Sequence, residues 1–176
     1  MLPIAGEISV ATLLDREEQS SFNLLVQAYD NYQHGFTTGN SRNSFIQVTV
    51  LVEDVNDEAP QFVEVNNQCS IIRELHPKNE PIVTVRAFDK DDPTSYNSEI
   101  DFTIKHGDET GLFRIKSSGR GAATIYPDGS LKGFYGNYRL IIEAKDKGFP
   151  PNSVTNIFPI CIQVTQALTM IEINLK

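Results

Sequence analysis

The feature that most limits the fold is a self-similarity within the chain. Phe22-Asn-Leu-Leu-Val-Gln-Ala-Tyr-Asp30 is echoed 116 positions later by Tyr138-Arg-Leu-Ile-Ile-Glu-Ala-Lys-Asp146, and Val48, Val50 and Val52 return 112 positions on as Ile160, Ile162 and Val164. Self-similarity at a near-constant offset marks one structural unit used more than once. In both copies apolar residues fall at every second place, the period of a strand with one buried face, and no stretch keeps helical period for three turns. A chain patterned this way buries its apolar faces sheet against sheet.

Only the second copy is whole. Between residues 61 and 165 there is room for seven short strands: an edge segment at 70–73, then strands carrying Val83, Val85 and Ala87, Ile100, Phe102 and Ile104, Phe113 and Ile115, a short run at 124–131, and the two repeated strands. Turn chemistry separates them at Asp91-Asp-Pro93, His106-Gly-Asp108, Pro127-Asp-Gly129 and Lys147-Gly-Phe-Pro-Pro151. The shared phase puts Val85, Ala87, Phe102, Ile104, Phe113, Tyr138, Leu140, Ile142, Ile160 and Ile162 inside. The first copy offers three strands, 7–12, 22–29 and 45–52, too few to close a sandwich.

The formal net charge of −8 has the wrong sign for a nucleic-acid binder or a sensor of anionic lipid. No apolar run approaches the roughly 18 residues a membrane span needs, and the start lacks the basic end of a signal peptide, which reads as the cut end of a longer chain. The acids are not scattered. Asp54-Val-Asn-Asp-Glu-Ala-Pro60 stands at the junction of the copies, joined by Leu14-Asp-Arg-Glu17, Asp89-Lys-Asp-Asp92 and the strand-end Asp146. Calcium takes six to eight oxygens from carboxylates, amides and backbone carbonyls, which such a string supplies. Asp15, Glu17, Asp57, Asp89, Asp91 and Asp146, if gathered, repel one another until cations arrive.

With these motifs in this order and spacing, over residues 6–165, the chain resembles the cadherin superfamily, whose repeats carry an Asp-Arg-Glu motif, an Asp/Asn linker ahead of a proline, an Asp-x-Asp pair and a strand-end Ala-x-Asp. The resemblance implies an all-β, immunoglobulin-like Greek-key sandwich. It divides the chain into residues 1–60 (the C-terminal part of a repeat plus its linker), 61–165 (a repeat) and 166–176 (a divergent tail). It also implies three Ca2+ ions between successive repeats. Asp15, Glu17 and Asp57 match the outermost ion; Glu17, Asp57, Asp91 and the Val55 carbonyl match the middle one. The innermost ion takes Asn56, Asp89, Asp91, Asp146 and the carbonyls of Glu58 and Asn97. Both outer sites lean on a repeat-base Glu that would precede Met1. Beyond Val164 the linker motif is replaced by Thr165-Gln-Ala-Leu-Thr169, so no calcium of this kind is expected at the far end, and Glu74 there is expected to stand without partners. Asp30, whose partners would lie upstream, is expected empty.

Other features carry less. Cys69 and Cys161 lack metal or redox spacing; in the family the first and last strands are neighbours, which admits a disulfide, but two free thiols are the expectation. Cys161, out of phase with Ile160 and Ile162, should face away from the core. Glu53 and Asp92 read as solvent-facing. Ser118-Gly-Arg-Gly-Ala122 reads as a hairpin loop, since no helix follows to bind an anion. His34, His76 and His106 fall in separate loops without metal or triad spacing. The resulting expectation is a calcium-dependent adhesion module of a receptor on the extracellular face of the plasma membrane, with no enzymatic activity. Its partner would be another cadherin-type ectodomain, homophilic or heterophilic. The alternative is a display stalk or a ligand- or toxin-binding segment that is not itself adhesive.

Overall fold

The computed structural model describes residues 6–29, 32–33, 36–37, 42–63, 69–119, 121–150 and 158–167. The chain divides into two compact units, Met1–Asp54 and Val55–Lys176.

In the first unit β1 (Ser21–Tyr29) runs beside the later strand β4 (Asn43–Leu51) in an antiparallel ribbon, with Phe22 opposite Val50, Leu24 opposite Val48 and Val26 opposite Ile46. The Thr49 hydroxyl donates across it to Asn23 Oδ1 at 2.8 Å. Two short strands, β2 (Tyr32–Gln33) and β3 (Phe36–Thr37), pair between them; segments this short carry no periodic signal. The strand expected over 7–12 is not there, and Ile8 and Val10 lie open to solvent. An extended segment becomes a strand only against a neighbour, and among the described residues β1 and β4 pair only with each other. The ribbon leaves Leu25 70% and Ile46 64% exposed, so it is the weaker unit.

In the second unit the inward phase of the sequence becomes two packed sheets. The strands are β5 (Gln61–Phe62), β6 (Ser70–Arg73), β7 (Val83–Phe88), β8 (Ile100–His106), β9 (Phe113–Gly119), β10 (Ala122–Pro127), β11 (Gly136–Asp146) and β12 (Phe158–Thr165). They form sheets of order β5-β7-β10-β9 and β6-β12-β11-β8. Among the described residues eight segments stand where seven were expected, because the first strand is divided: Gln61–Phe62 pairs with β7 in one sheet and Ser70–Arg73 runs parallel to β12 in the other. The run expected over 124–131 forms Ala122–Pro127, and Leu131 is fully buried outside it.

Eight of the ten residues assigned to the interior by phase are buried, and Ile104 and Tyr138 pack half-buried at its rim. Full burial of a side chain such as Leu140 or Ile142 contributes about 1.5–3 kcal/mol. The Tyr138 ring meets Phe113 edge-on at 5.2 Å, and its hydroxyl donates to the Phe134 carbonyl at 3.2 Å. Strands β9 and β10 pair antiparallel, with Ala122 opposite Gly119. Gly121 has φ +65°, its carbonyl accepts from Ala87 N at 2.8 Å, and a Cβ there would stand 2.1 Å from the Ala87 oxygen, so only glycine fits.

The cysteine expectation is corrected: Cys69 and Cys161 are joined in a disulfide, with their Cα atoms 4.5 Å apart. The parallel register sets Ser70 beside Ile162, so Cys69, just ahead of β6, stands beside Cys161 of β12. Cys161 does point away from the core, as its phase requires, and it meets Cys69 on that outer face.

Candidate metal centre

The same alternation that builds the core delivers carboxylates to one end of the second unit. On β11, Leu140, Ile142 and Ala144 face inward, and the next residue in that phase is Asp146, 3% exposed. After β7, Val85 and Ala87 are followed in phase by Asp89 and then Asp91, which is 1% exposed. Carboxylates so placed need donors or cations.

Backbone and amide donors serve one side of each. Asp146 Oδ1 accepts from Gly148 N at 2.9 Å and from Asn56 Nδ2 at 3.1 Å. The same Asn56 nitrogen donates to the Pro150 carbonyl at 2.8 Å, following a cis Phe149–Pro150 bond. Asp89 Oδ1 accepts from Asp91 N at 3.1 Å, and Asp91 Oδ1 from Glu58 N at 3.4 Å. On the other side, Asp89 Oδ2 and Asp146 Oδ2 are buried with no hydrogen-bond donor among the described residues. Burial, with the Asp146 and Glu58 charges adding to it, pushes the Asp89 carboxyl above its usual range, against the opposing bond from Asp91 N.

The surroundings are built to hold this arrangement. Glu58 sends its side chain to Lys90, whose Nζ lies 2.9 Å from Glu58 Oε1. Asn97 lies on a 3-10 turn, Tyr96–Ser98, capped by Ser95, whose Oγ accepts from Asn97 N at 3.1 Å. That turn packs on β11, and Glu99 O accepts from Lys147 N at 3.0 Å just beyond Asp146. Asp92 is half-buried as a residue and braces the turn through a carboxylate in exposed bonds, its Oδ1 accepting from Thr94 N and Oγ1 at 2.8 and 2.6 Å and its carbonyl from Ser98 Oγ at 2.7 Å. Glu53 is exposed as expected.

In the first unit, Asp15 is exposed and accepts through Oδ1 from Glu18 N at 3.1 Å, opening a turn that carries Arg16 and Glu17. Arg16 pairs with both Glu17 and Asp54, its Nε 2.6 Å from Asp54 Oδ1. Carboxylate oxygens of Glu17 and Asp54 lie within 4.8 Å of each other, so Asp54 is a candidate that motif reading passed over although it opens the linker motif. Val55 and Asp57 are exposed, and Asp57 N bonds the Val55 carbonyl at 3.0 Å. Among the residues matched to the innermost ion, Asn56 is bonded to Asp146, and Glu58, Asp91 and Asp89 are bonded in series, with the Asp146 charge acting on Asp89.

Elsewhere, Asp30 and His34 lie outside the described residues. His106 ends β8 instead of lying in a loop, and His76 Nε2 is 3.3 Å from the Glu80 carbonyl. Glu74, expected to lack partners, is buried and has three donors: Gly133 N, Tyr135 Oη and Ala167 N. No helix among the described residues is long and apolar enough to cross a membrane.

The cadherin domain family model matches residues 70–164, and the chain belongs to the cadherin family. It is 33% identical over 159 residues to Protein dachsous of Drosophila melanogaster, covering 88% of this chain and 4% of that protein. It is 32% identical over 170 residues to Protocadherin-11 X-linked of Sus scrofa, covering 95% of this chain and 14% of the relative. The chain therefore spans a small part of the relatives it matches. Among solved structures, mouse Cadherin-23 EC22-24 aligns with a TM-score of 0.64 at 25% identity, over 90% of this chain and 46% of that one. The protocadherin gammaB7 EC3-6 cis-dimer structure aligns with a TM-score of 0.70 at 24% identity, over 89% of this chain and 34% of that one.

Proposed function

We propose that this chain is a calcium-stiffened segment of a cell-surface adhesion receptor. Residues 1–60 act as the end of one repeat with its linker, 61–165 as the next repeat and 166–176 as a divergent tail. Asn56, Asp89, Asp91 and Asp146, with the carbonyls of Glu58 and Asn97, hold the innermost Ca2+. Asp15, Glu17, Asp57 and the Val55 carbonyl, joined by Asp54, serve the outer ions. The observation that carries this reading is the pair of buried oxygens, Asp89 Oδ2 and Asp146 Oδ2, that no donor reaches among the described residues, set in an all-oxygen group of the kind calcium prefers. Burying carboxylates uncompensated costs several kcal/mol; a bound cation supplies charge balance, and the residues here position it. The disulfide fits an oxidising compartment, as at the extracellular face of the plasma membrane. The partner is another cadherin-type ectodomain, and the segment works by binding, not by catalysis.

Spin labels on Gln47→Cys and Lys116→Cys, both exposed sites in different units, test the stiffening. The inter-label distance distribution narrows when calcium is added; equal breadth with calcium and with chelator overturns the reading. Beads coated with the full ectodomain then separate adhesion, which gives calcium-dependent clumping, from a display stalk, which stiffens without clumping.

A further inference from the structure

The far end of the second repeat is held differently from the near end. Glu74 follows β6 and is buried, 7% exposed. Its Oε2 accepts from the Tyr135 hydroxyl at 2.9 Å and from Gly133 N at 3.2 Å, and its Oε1 accepts from Ala167 N at 3.1 Å. The backbone is tied at the same place, with Glu74 N donating to Thr165 O at 2.8 Å and Thr165 Oγ1 to Ile72 O at 3.1 Å. One carboxylate thus binds three segments: the end of β6, the loop leading into β11, and the chain as it leaves β12. Both of its oxygens are engaged by protein donors, whereas at the near end Asp89 and Asp146 each keep a buried oxygen that none reaches among the described residues.

We propose that Glu74 is a metal-independent clamp: through Gly133, Tyr135 and Ala167 it fixes the exit of the repeat at the end where the linker motif is absent, with protein donors on both carboxylate oxygens in the place of a cation. The clamp needs the ionised form, because the protonated acid would present a hydroxyl to donors. The groups that face it agree. Lys132 and the Tyr135 phenol lie on the β11 approach, Arg73 and His76 flank it in sequence on its own segment, and among the described residues the β12 exit contributes the Ala167 amide. The backbone bond from Ala167, outweighing the effect of burial, holds the Glu74 carboxyl below its ordinary range, and Glu74 in turn raises the Tyr135 phenol. With the folded value lowered, the clamp's contribution is complete above the unfolded value of about 4.3. It fades as pH falls through the folded value.

Amide-resolved NMR on the whole chain tests the clamp, with calcium chloride as the probe. Calcium added at neutral pH leaves the Gly133, Tyr135 and Ala167 signals in place, and acidification below pH 4 shifts those three together. In Glu74→Gln the Gly133 and Ala167 amides exchange at least about tenfold faster, since a charge-assisted bond to each is lost or weakened. If that variant does not fold, Tyr135→Phe reads the same clamp through faster exchange at Gly133, which shares Oε2. Signals at 133, 135 and 167 that move with calcium, or exchange unchanged in both variants, overturn the proposal. It does not rest on the inner calcium site: silence at Asn56, Asp89 and Asp146 in the same titration would sink that site and leave the clamp standing.

Discussion

Gly148 stands against Asn56 with no room for a side chain, and Gly148→Ala therefore probes the proposed metal centre without substituting any of its ligands. A Cβ there would lie 2.3 Å from Asn56 Cγ and 2.5 Å from both Nδ2 and Oδ1, while ordinary contact begins at 3.4 Å. The Asn56 amide must retreat by about 1 Å, which breaks its bonds to Asp146 Oδ1 at 3.1 Å and to the Pro150 carbonyl at 2.8 Å. A bond to a charged acceptor contributes about 1.5–3 kcal/mol and one to a neutral carbonyl about 0.5–1.5, so the loss is roughly 2–4 kcal/mol. That loss is read as folding stability in the metal-free protein, and displacement of Asn56 should in addition weaken binding of the innermost calcium. Gly148 has no left-handed φ, so alanine brings no backbone strain of its own. Gly129→Ala is the control, because a Cβ there meets nothing within 4 Å. Calorimetry of calcium binding and urea unfolding in chelator read the two effects. Calcium affinity within twofold of wild type, with stability within about 0.5 kcal/mol, would refute the argument that Gly148 exists to seat Asn56.

The Cys69–Cys161 bridge closes a loop with a sequence separation of 92 residues, for which chain entropy gives about 4.6 kcal/mol; Cys69→Ala/Cys161→Ala should lower the urea midpoint by up to about 2 M, and a shift near zero would deny the bond a stabilising role. Asp108 accepts from Leu112 N at 2.7 Å and Phe113 N at 2.9 Å, so Asp108→Ala, which strands two amide donors, should cost roughly 2–5 kcal/mol in the same assay. Amide exchange should be faster across Ser21–Tyr29, in the two-stranded ribbon, than across Gly136–Asp146, which has a strand on each side; equal protection would mean that another chain completes the ribbon.

The parts legible in the sequence are those whose signal is local and periodic. Val85 and Ala87, Phe102, Leu140 and Ile142, and Ile160 and Ile162 announce their faces by phase alone, and Asp146 and Asp89 continue that phase into the site. What was hidden depends on which strands become neighbours. The segment over 7–12 alternates like a strand but finds no partner among the described residues. Gln61–Phe62 is too short to show a period and becomes a strand by pairing with β7. The Cys69–Cys161 bond follows from a parallel register that no spacing encodes. Glu74 reads in the sequence as an acid without partners, yet its donors come from residues 59, 61 and 93 positions away. Asp54 stood in plain view in the linker, and its pairing with Arg16 is what marks it.

The central claim is that Asn56, Asp89, Asp91 and Asp146 form the principal calcium site, complete within the second unit. Calorimetric titration of calcium into the wild type, Asp146→Ala and Glu17→Ala tests it most directly. Asp146→Ala should abolish the tightest binding step, while Glu17→Ala should alter only weaker ones. Loss of the tightest step in Glu17→Ala, with that step intact in Asp146→Ala, would contradict the assignment.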